Sequence, residues 1–383
     1  MGIPVCVPVI PENAEKYVCE VIRRNWVSSL CLDEEVNFIK KLEEGFSSFA
    51  GVRFGIAVTN GTTALDLAIA TLKIGPGDEV IVPSFTMIAT ASSVIHNGAR
   101  PVFVDSDPET WCIDVSLIEQ AITERTKAII PVHIYGYPAD IDRIMEIAKK
   151  YNLYVIEDAA EAIGTEYKGK KAGSFGDINC FSFYANKLIT SGEGGMVVTD
   201  NEEFAKRAAM LKDQAFGQPR FIHEDIGFNF RMNNLTAAYA YASFEEVSEY
   251  IEKRVRNAEL YNQVLFGIEG IILPPKNKEG IKNSYWMYGI LIDKKIYGRS
   301  RQEVRELLKS DYGIDTRDFF YPMHKQPVMI KKGYVKEGTK MPVSERLWED
   351  GFYLPSSTNL KEEQIVYIAD ALKKLGKQGG IHD

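Results

Sequence analysis

The sequence predicts an α/β protein in which helices cover a mainly parallel sheet, followed by a smaller α+β domain. From about residue 55 to residue 199, short β-branched runs alternate with amphipathic stretches, the order that produces parallel sheets. After about Phe244 this alternation stops. The chain of 383 residues, with 45% apolar side chains, is long enough for a large core and a second domain. We therefore expect a large domain over residues 1–245 and a small domain over residues 246–383.

The apolar pattern places the elements of the large domain. A helix over residues 62–72 has an apolar face and follows the first predicted strand. Because parallel strands end at the same edge of a sheet, polar residues that follow them are expected to gather there. The predicted strands are residues 55–58, 79–82, 101–104, 128–132, 153–157, 178–183 and 196–199.

The small domain shows a different pattern. We expect a charged helix, a strand over residues 285–292, a helix from Ser300 and a closing helix from Lys361. Asn359 and Glu362 have the spacing of a capping box for the closing helix. The predicted buried stripe of that helix consists of Ile365, Ile368, Ala369 and Leu372.

The composition excludes several classes of protein. The net charge of −8 is spread along the sequence, and no run of Lys or Arg marks a nucleic-acid-binding or membrane-facing patch. The five cysteines are scattered and contain no CxxC pair, which favours a reducing compartment. No long hydrophobic region follows the proline-interrupted start of the chain, so we expect a cytoplasmic protein without a membrane span.

The motif content excludes further kinds of site. No HExxH spacing or Cys/His cluster occurs, so we expect no metal. There is no Walker loop and no GxGxxG after the first strand, which argues against the simplest kinases and dehydrogenases. His133 lies in an apolar stretch, where it is either a hydrogen-bonded core residue, the reading that we favour, or the neighbour of a bound cofactor.

Three carboxylates follow an apolar strand in the segment over residues 155–162. Asp158 stands where the strand reaches the edge of the sheet. A carboxylate at this place can hold a protonated pyridine nitrogen by a charge-assisted hydrogen bond. Taken alone, a cap on a following helix is an equally good explanation of this residue.

A single lysine, Lys187, follows the strand over residues 178–183. It is the candidate Schiff-base residue, because a desolvated lysine beside another cation loses basicity and becomes a usable nucleophile. The alternative is a solvated lysine at a strand end. The glycine-rich residues 191–195 and the strand behind them favour a loop that turns tightly near a ligand.

A third candidate segment, residues 60–63, lies between the first strand and the following helix. Backbone N–H groups and the hydroxyls of Thr62 and Thr63 stand there at the positive end of a helix dipole, which is a suitable place for a phosphate group. A plain helix cap by threonine is the alternative.

Taken together, these segments resemble the DegT/DnrJ/EryC1/StrS family of sugar aminotransferases along almost the whole chain. The resemblance implies the aspartate aminotransferase fold (fold type I of enzymes that use pyridoxal 5′-phosphate, PLP), usually as a homodimer with shared active sites to which the N-terminal segment contributes. It is carried by residues 60–65, 77–83, 156–161 and 227–232, together with Ser182 and Lys187.

The resemblance also implies roles for the cofactor-binding residues. Lys187 is expected to be linked to PLP as a Schiff base and Asp158 to hold its pyridine nitrogen. Residues Gly61, Thr62, Thr63 and Ser182 correspond to positions around the phosphate, Glu161 to a position near the ring oxygen, and Asn229 to a residue that reaches the partner's cofactor. Met87 stands where relatives commonly place an aromatic ring on the cofactor.

Within the family, residues 26–29, 186–199 and 322–324 are most similar to the subgroup that converts GDP-4-keto-6-deoxymannose to GDP-perosamine with glutamate as donor. That similarity implies contacts of the sugar nucleotide with Trp26, Ser28, Ser29, Asn186 and His324, and a part in O-antigen or other polysaccharide biosynthesis. Cys31 and residues 213–215 depart from the family pattern, which leaves UDP- and dTDP-linked 4-keto-6-deoxy sugars as alternative acceptors.

Two other functions are alternatives to amino transfer. Sugar dehydratases of this fold replace the Schiff-base lysine with histidine, whereas Lys187 is present here. A non-catalytic PLP-binding regulator is the alternative from a different class, because a fold does not prove an activity.

Overall fold

The computed structural model describes residues 2–376. The predicted domains extend to residues 1 and 383, so their outermost parts, Met1 and residues 377–383, lie outside the described residues. The helices are α1 (Ala14–Arg23), α2 (Phe38–Ala50), α3 (Gly61–Thr71), α4 (Ile88–His96), α5 (Val115–Ala121), α6 (Ile141–Tyr151), α7 (Glu202–Lys212), α8 (Asn234–Glu245), α9 (Val247–Leu265), α10 (Lys294–Tyr297), α11 (Arg301–Tyr312), α12 (Pro327–Lys331), α13 (Pro342–Asp350) and α14 (Glu362–Leu375).

The strands belong to three sheets. They are β1 (Phe54–Val58), β2 (Glu79–Pro83), β3 (Arg100–Val104), β4 (Thr126–Ile129), β5 (Tyr154–Asp158), β6 (Glu166–Tyr167), β7 (Lys170–Lys171), β8 (Ile178–Ser182), β9 (Gly195–Thr199), β10 (Ile271–Ile272), β11 (Ile281–Lys282), β12 (Tyr288–Ile292), β13 (Arg317–Asp318) and β14 (Gly351–Leu354). The described residues also form two 3₁₀ turns, Ile134–Gly136 and Met323–Lys325.

The central sheet has seven strands in the order β1-β9-β8-β5-β4-β2-β3. Strand β9 runs antiparallel to both of its neighbours, β1 and β8, and the other pairs are parallel. The sheet is therefore mainly parallel, and the predicted α/β class is confirmed. As in other parallel sheets, strands β2, β8 and β9 are buried along their whole length.

Helices cover both faces of this sheet. Successive residues of β9 show the two faces, because Met196 and Val198 pack in one apolar cluster with helices α2 and α8, whereas Val197 packs in another with α3 and α7. This alternation follows from the two-residue period of a strand. The connections of the sheet bring the carboxyl ends of β5 and β8 next to the start of α3.

A second, four-stranded antiparallel sheet has the order β10-β12-β14-β13. Its apolar cluster includes residues of α9, α11 and α14, and also Ile3 from the start of the chain. Ile3 forms a bridge with Ile314, so the N-terminal residues lie against the second sheet. The predicted domain boundary at residues 245/246 falls between α8 and α9 and stays a prediction.

Three details of the sequence prediction are wrong. The strand predicted over residues 128–132 ends at Ile129, two residues before Pro131, which has no N–H group to donate. The strand predicted from residue 285 begins at Tyr288, because Tyr285 has a φ of 50°, a left-handed conformation that is incompatible with a strand.

The third error in the sequence prediction concerns the start of the closing helix. Its N-cap is Lys361, whose N–H group donates to the Gln364 side chain at 3.0 Å, so Asn359 and Glu362 do not form the predicted capping box. The predicted stripe of Ile365, Ile368, Ala369 and Leu372 is buried as expected. Within residues 2–376, no helix combines the length and the apolar character that crossing a membrane requires.

Candidate active site

The candidate site lies where β5 and β8 end beside the start of α3. Asp158 is the last residue of β5 and pairs with Cys180 of β8, two residues before Ser182 ends that strand. Lys187 follows in the next loop. The parallel arrangement of β5 and β8 thus brings together two of the segments that the sequence singled out.

Asp158 is buried and accepts hydrogen bonds from the Thr90 hydroxyl at 2.8 Å and from the Ala160 N–H group at 3.2 Å. Burial raises the pKa of this carboxyl group, although both hydrogen bonds and the charge of Lys187 oppose the change. No helix begins in residues 159–165, so the alternative of a helix cap is wrong. Asp158 is a buried acid for which a positive ligand group would be favourable.

Lys187 lies close to two acidic residues. Burial lowers its pKa to about 8, and the carboxylates of Glu161 and Asp158 oppose this change. Its Nζ atom lies 3.4 Å from the centroid of the Trp286 ring. A neighbouring cation was expected to lower the basicity of this lysine, but burial is the cause, and the charged groups that act on the amine are carboxylates.

Glu161 completes the buried group of charges. One of its oxygens accepts a hydrogen bond from the Tyr135 N–H group at 2.8 Å. Burial raises the pKa of Glu161 to about 7, while the charge of Lys187 and the Tyr135 N–H group act in the opposite direction. Tyr135 has a φ of 52°, and this left-handed backbone directs its N–H group to the carboxylate.

The start of α3 is capped by Asn60. Its side chain accepts from the Thr63 N–H group at 2.9 Å, and the Asn60 N–H group donates to the Thr63 hydroxyl at 3.1 Å. The alternative that a threonine is the N-cap is therefore wrong. Because the Thr63 hydroxyl also contacts the Thr59 hydroxyl at 3.1 Å, Thr62 has the freer hydroxyl for a phosphate group.

Gly61 allows α3 to begin directly against Ser182. A Cβ atom at Gly61 would lie 2.8 Å from the Ser182 Cβ atom, closer than real side chains approach. The close contact places the Ser182 hydroxyl at the positive end of the α3 dipole. Gly195 is equally constrained, because its Cβ atom would lie 2.5 Å from the Asn60 carbonyl oxygen.

These residues fit the cofactor that the resemblance implies. The start of α3, Thr62 and Ser182 are suited to the phosphate group, and buried Asp158 is suited to a protonated pyridine nitrogen. Lys187 offers an amine with a lowered pKa. Within residues 2–376, no group of three or more His, Cys, Asp or Glu side chains has the arrangement of a metal site.

The other predicted site residues lie outside this contact network. Met87 is 51% exposed at the start of α4, and Asn229 is exposed on the segment that precedes α8. Trp26 is half-buried, whereas Ser28 and Ser29 are exposed. The roles predicted for these five residues stay predictions.

His324 and Asn186 differ from these exposed residues. His324 is buried, with its Nδ1 atom 2.7 Å from the Ser84 hydroxyl and its Nε2 atom 3.2 Å from Glu345. Burial lowers the pKa of His324, although Glu345 opposes the change. Asn186 precedes Lys187, and its backbone carbonyl accepts a hydrogen bond from the Trp286 ring N–H group at 3.0 Å.

Three residues of the site were not predicted from the sequence. Thr90 binds Asp158, Tyr135 binds Glu161, and Trp286 contacts Lys187. Each lies far along the chain from its partner, and none belongs to a motif with its own chemistry. Only the positions of the elements in the fold bring them to the site.

The His133–Glu157 pair lies one residue away from Asp158 but is a separate structural unit. Both side chains are fully buried, and the His133 Nε2 atom lies 2.9 Å from the Glu157 carboxylate. The Ala139 N–H group donates to the Nδ1 atom at 3.1 Å, so Nε2 carries the ring proton. His133 is thus a hydrogen-bonded core residue, the reading that we favoured.

Comparison with known proteins agrees with this site. The chain is 41% identical over 373 residues to the GDP-perosamine synthase of Escherichia coli O157:H7, covering 97% of this chain and 98% of that protein. It is 39% identical over 337 residues, 88% of each chain, to a UDP-N-acetyl-3-dehydro-alpha-D-glucosamine 3-aminotransferase of Acidithiobacillus ferrooxidans.

The solved structures give the same result. A crystal structure of DesI in the presence of its TDP-sugar product superimposes with a TM-score of 0.89 at 30% identity, covering 98% of this chain and 94% of that one. The model of one aminotransferase family matches residues 8–373. The predicted class of enzyme and its cofactor PLP are thereby confirmed, and the chain belongs to the DegT/DnrJ/EryC1/StrS aminotransferase family.

Proposed function

We propose that the enzyme transfers the amino group of glutamate to C4 of GDP-4-keto-6-deoxymannose and so forms GDP-perosamine. The observation that carries amino transfer is the Lys187 amine, which lies 3.4 Å from the centroid of the Trp286 ring and whose pKa is lowered near the acids Asp158 and Glu161. The sugar is supported by the relatives, since a GDP-perosamine synthase is 41% identical over nearly the full length.

Lys187 is the proton carrier in this proposal. Its pKa is lowered to about 8, which makes the neutral amine more accessible near neutral pH than in an ordinary lysine. The neutral Nζ atom takes a proton from the carbon that bears the amino group of the donor. Nζ then gives this proton to the carbon that receives the amino group, so the amine is neutral again when the first half ends. In the second half, Nζ takes a proton from the carbon that gives up the amino group and donates it to C4 of the acceptor sugar.

The cofactor and its acid partner have a distinct part. When bound, PLP supplies an electron sink that stabilises negative charge at the carbon from which the proton leaves. Asp158 keeps the pyridine nitrogen protonated by accepting its hydrogen bond, and Thr90 holds the Asp158 carboxylate in place. Glutamate and the sugar nucleotide react in turn at this one site, so the kinetics are expected to be ping-pong.

A UDP- or dTDP-linked 4-keto-6-deoxy sugar is the second candidate acceptor. It is favoured by two relatives, one that acts on a UDP-linked amino sugar and one that was solved with a TDP-sugar product. The non-catalytic regulator is the weaker alternative, because Asp158 is buried and hydrogen-bonded to Thr90 and the Lys187 amine lies against the Trp286 ring.

The experiment that tests the function is a single-turnover absorbance measurement. The enzyme is loaded with the aminated cofactor and then mixed separately with GDP-, UDP- and dTDP-linked 4-keto-6-deoxy sugars. Return of the absorbance of the lysine-linked cofactor with the GDP sugar alone supports the proposal. Return with another nucleotide changes the acceptor, and no return with any sugar contradicts 4-amination.

We also propose a homodimer with shared active sites. Two features support it: Asn229 is exposed although the resemblance gives it a role at the cofactor, and Met87 is half-exposed beside the site. Subunits that carry Lys187→Ala can be mixed with subunits that carry Asn229→Ala and then separated as mixed dimers. If Asn229 acts across the interface, one complete site is restored; an inactive mixture contradicts the shared site.

We further propose that the enzyme acts in the cytoplasm, in the biosynthesis of a polysaccharide. All five cysteines, four of them in the first 112 residues, are free, which supports a reducing, cytoplasmic compartment. An amino sugar linked to a nucleotide is an activated building block, so O-antigen or another polysaccharide is the expected product of the pathway. Growth of a deletion strain and analysis of its surface glycan for the amino sugar tests this assignment.

A further inference from the structure

The indole ring of Trp286 faces the amine of Lys187. The Nζ atom lies 3.4 Å from the centroid of the ring. This is well inside the distance of about 6 Å within which a ring face attracts a cation, and tryptophan attracts cations more strongly than the other aromatic side chains. The ring therefore offers a binding surface for the ammonium form of Lys187.

The carboxylates of the site do not take this place. Glu161 and Asp158 both act on the charge of Lys187. Within residues 2–376, however, no carboxylate lies within ion-pair distance of the Nζ atom, and no hydroxyl or carbonyl group makes a hydrogen bond to it. The face of the Trp286 ring is thus the direct contact that the structure gives to this amine.

Trp286 is joined to the loop that carries Lys187. Its ring N–H group donates to the Asn186 carbonyl oxygen at 3.0 Å, so the edge of the ring binds the residue before the lysine while the face contacts the amine. Trp286 is buried. Movement of the ring away from the amine would break this hydrogen bond and leave a donor unpaired. The lysine loop and the ring are therefore expected to keep one relative position.

Other contacts limit the movement of Trp286 further. Its carbonyl oxygen accepts a hydrogen bond from the Arg254 guanidinium group at 2.8 Å, and the Tyr135 ring is stacked at a centroid distance of 6.0 Å. The backbone is close-packed as well, because a Cβ atom at Gly136 would lie only 3.1 Å from the Trp286 nitrogen. These contacts hold the ring in one orientation beside the amine.

Lys187 needs such a contact when its amine is free. In the proposed function, the amine is not linked to the cofactor while it moves the proton. A free lysine has a flexible four-carbon stem, whereas proton transfer requires the two heavy atoms to lie about 2.6–3.2 Å apart. A surface that binds the ammonium group reduces the number of positions that the amine can take.

We propose that Trp286 is a positioning residue whose ring face binds the ammonium group of Lys187 during the steps in which this amine is not linked to the cofactor. The inference rests on the proposed function, because Lys187 acts there as proton carrier, but it does not depend on which sugar nucleotide is the acceptor. The ring attracts only the charged form, so the contact also favours the protonated amine. It thereby opposes the effect of burial on the pKa of Lys187.

The other titratable groups around this pair are unchanged in variants of the ring. The carboxylates of Asp158 and Glu161 favour the charged amine, as the ring does. Burial raises the pKa of Tyr353 to about 12 and that of Tyr135 well above its usual value, so both phenols beside the ring stay neutral where the lysine titrates. Two further groups contact the backbone of this pair, Arg254 and Cys6.

The test measures the pKa of Lys187 without turnover. The holoenzyme is converted to the form with the aminated cofactor, in which the lysine is free, and is labelled with a trace of acetic anhydride at a series of pH values. Mass spectrometry of the peptide that contains Lys187 then follows the neutral amine. Trp286→Leu is expected to lower this pKa by about one unit, because the charged amine loses the ring. Trp286→Phe keeps a ring face and is expected to show a smaller shift.

Turnover tests the positioning itself. A lower pKa alone would supply more neutral amine near neutral pH and would not slow the reaction. In Trp286→Leu, kcat is nevertheless expected to fall about tenfold or more, because the free amine is no longer held in place. An undiminished kcat would contradict a positioning role.

Trp348→Leu is the matched control. This tryptophan also has a cation over its ring, with the Arg301 guanidinium carbon 5.2 Å from the centroid. It belongs to α13 and packs against Tyr321, away from Lys187. The pKa of Lys187 and kcat are both expected to stay unchanged in this variant.

The outcomes distinguish this inference from the proposed function. An unchanged pKa in Trp286→Leu overturns the inference, and so does a raised pKa, because the ring would then act only by excluding water. If Trp286→Leu does not fold, the shift in Trp286→Phe decides by the same measurement. Labelling of wild-type Lys187 that does not increase in the aminated form would show that this lysine does not link the cofactor, and the proposed function itself would fail. A lowered pKa without reaction of any keto sugar supports the inference and contradicts the proposed acceptor.

Discussion

Two neighbouring acids at the end of β5 are both buried but differ in their hydrogen bonds. Glu157 accepts from the His133 ring and from three backbone N–H groups of residues 173–176, at distances between 2.6 and 2.9 Å. Burial acts to raise its pKa, but these donors lower the pKa below the usual value. Asp158 has one hydroxyl and one backbone donor, and its pKa is raised.

The comparison shows that burial alone does not mark a functional acid. Successive residues of a strand point to opposite faces, so Glu157 and Asp158 meet different surroundings. The donors around Glu157 satisfy its charge, and the acid joins the loop over residues 173–176 to the sheet. The donors around Asp158 leave its charge incompletely compensated, which is the condition for binding a positive ligand group.

The largest expected effect belongs to Lys187. Lys187→Ala removes the proton carrier and is expected to lower turnover by about 10³-fold or more, because no other described amine contacts the site. Turnover is measured with glutamate and the accepted keto sugar. Lys171→Ala, which removes a lysine that is paired with Glu166 at the surface, serves as the control. Activity near that of the control would mean that another group moves the proton.

Exchanging the two neighbouring acids for amides tests the comparison directly. Asp158→Asn is expected to lower turnover by about 10²-fold with little change in the stability of the apoprotein, because its charge is poorly compensated there. Glu157→Gln is the matched variant. It is expected to cost about 3 kcal/mol of unfolding free energy, since backbone donors lose their acceptor, and to leave turnover of the folded enzyme nearly unchanged.

Denaturant unfolding gives the unfolding free energy of each variant, and steady-state kinetics give its turnover. Equal losses of stability would contradict the distinction between the two acids. Equal losses of turnover would place Glu157 in the active site. A stable and fully active Asp158→Asn variant would show that the pyridine nitrogen has another partner.

The fold was largely predictable because its pattern is repetitive. Alternating strands and helices, with two-residue and 3.6-residue periods, are recorded locally in the sequence. The errors occur where a single residue decides an end: Pro131 prevents β4 from continuing, and the left-handed backbone of Tyr285 delays β12. The predicted cap of the closing helix was wrong because Gln364, rather than Glu362, accepts the hydrogen bond of the N-cap residue.

The site was predictable only in part. Asp158 and Lys187 stand at strand ends within recognisable segments, so their chemistry can be inferred from their neighbours in the chain. Thr90, Tyr135 and Trp286 act through contacts across 50 or more positions of sequence or through an unusual backbone, and neither is visible in a local pattern. The lowered pKa of Lys187 shows the same limit, because it arises from burial, which only the folded chain provides.

Glu161 extends the comparison to a pH dependence. Its folded pKa of about 7 lies above the unfolded value near 4.5. Between these values the folded protein binds more protons, so this group favours folding at low pH and the contribution is lost as the pH rises through 7. Lys187, with a pKa lowered to about 8, acts in the opposite direction between pH 8 and pH 10.5.

The variant that tests this contribution is Glu161→Gln. Unfolding of the wild-type apoprotein and of the variant is measured between pH 5 and pH 8. The difference in their unfolding free energies is expected to change by about 2 kcal/mol across this interval, with the wild type relatively weaker at high pH. A constant difference would mean that Glu161 is ionised throughout and has a full set of partners, as Glu157 has.

Replacing Thr90 is expected to have the smallest effect, because the change removes only one of the two donors to Asp158. Thr90→Val keeps the shape of the side chain but loses the 2.8 Å hydrogen bond. An intramolecular hydrogen bond contributes about 1 kcal/mol on average, so turnover is expected to fall about threefold to tenfold. Thr90→Ser keeps the hydroxyl group and is expected to retain most of the wild-type turnover.

The dependence of turnover on pH shows whether Thr90 positions Asp158 or only packs beside it. Loss of the donor raises the pKa of Asp158 further, so the acidic limb of the profile shifts to higher pH in Thr90→Val but not in Thr90→Ser. An unshifted profile would show that Thr90 only fills space beside the acid.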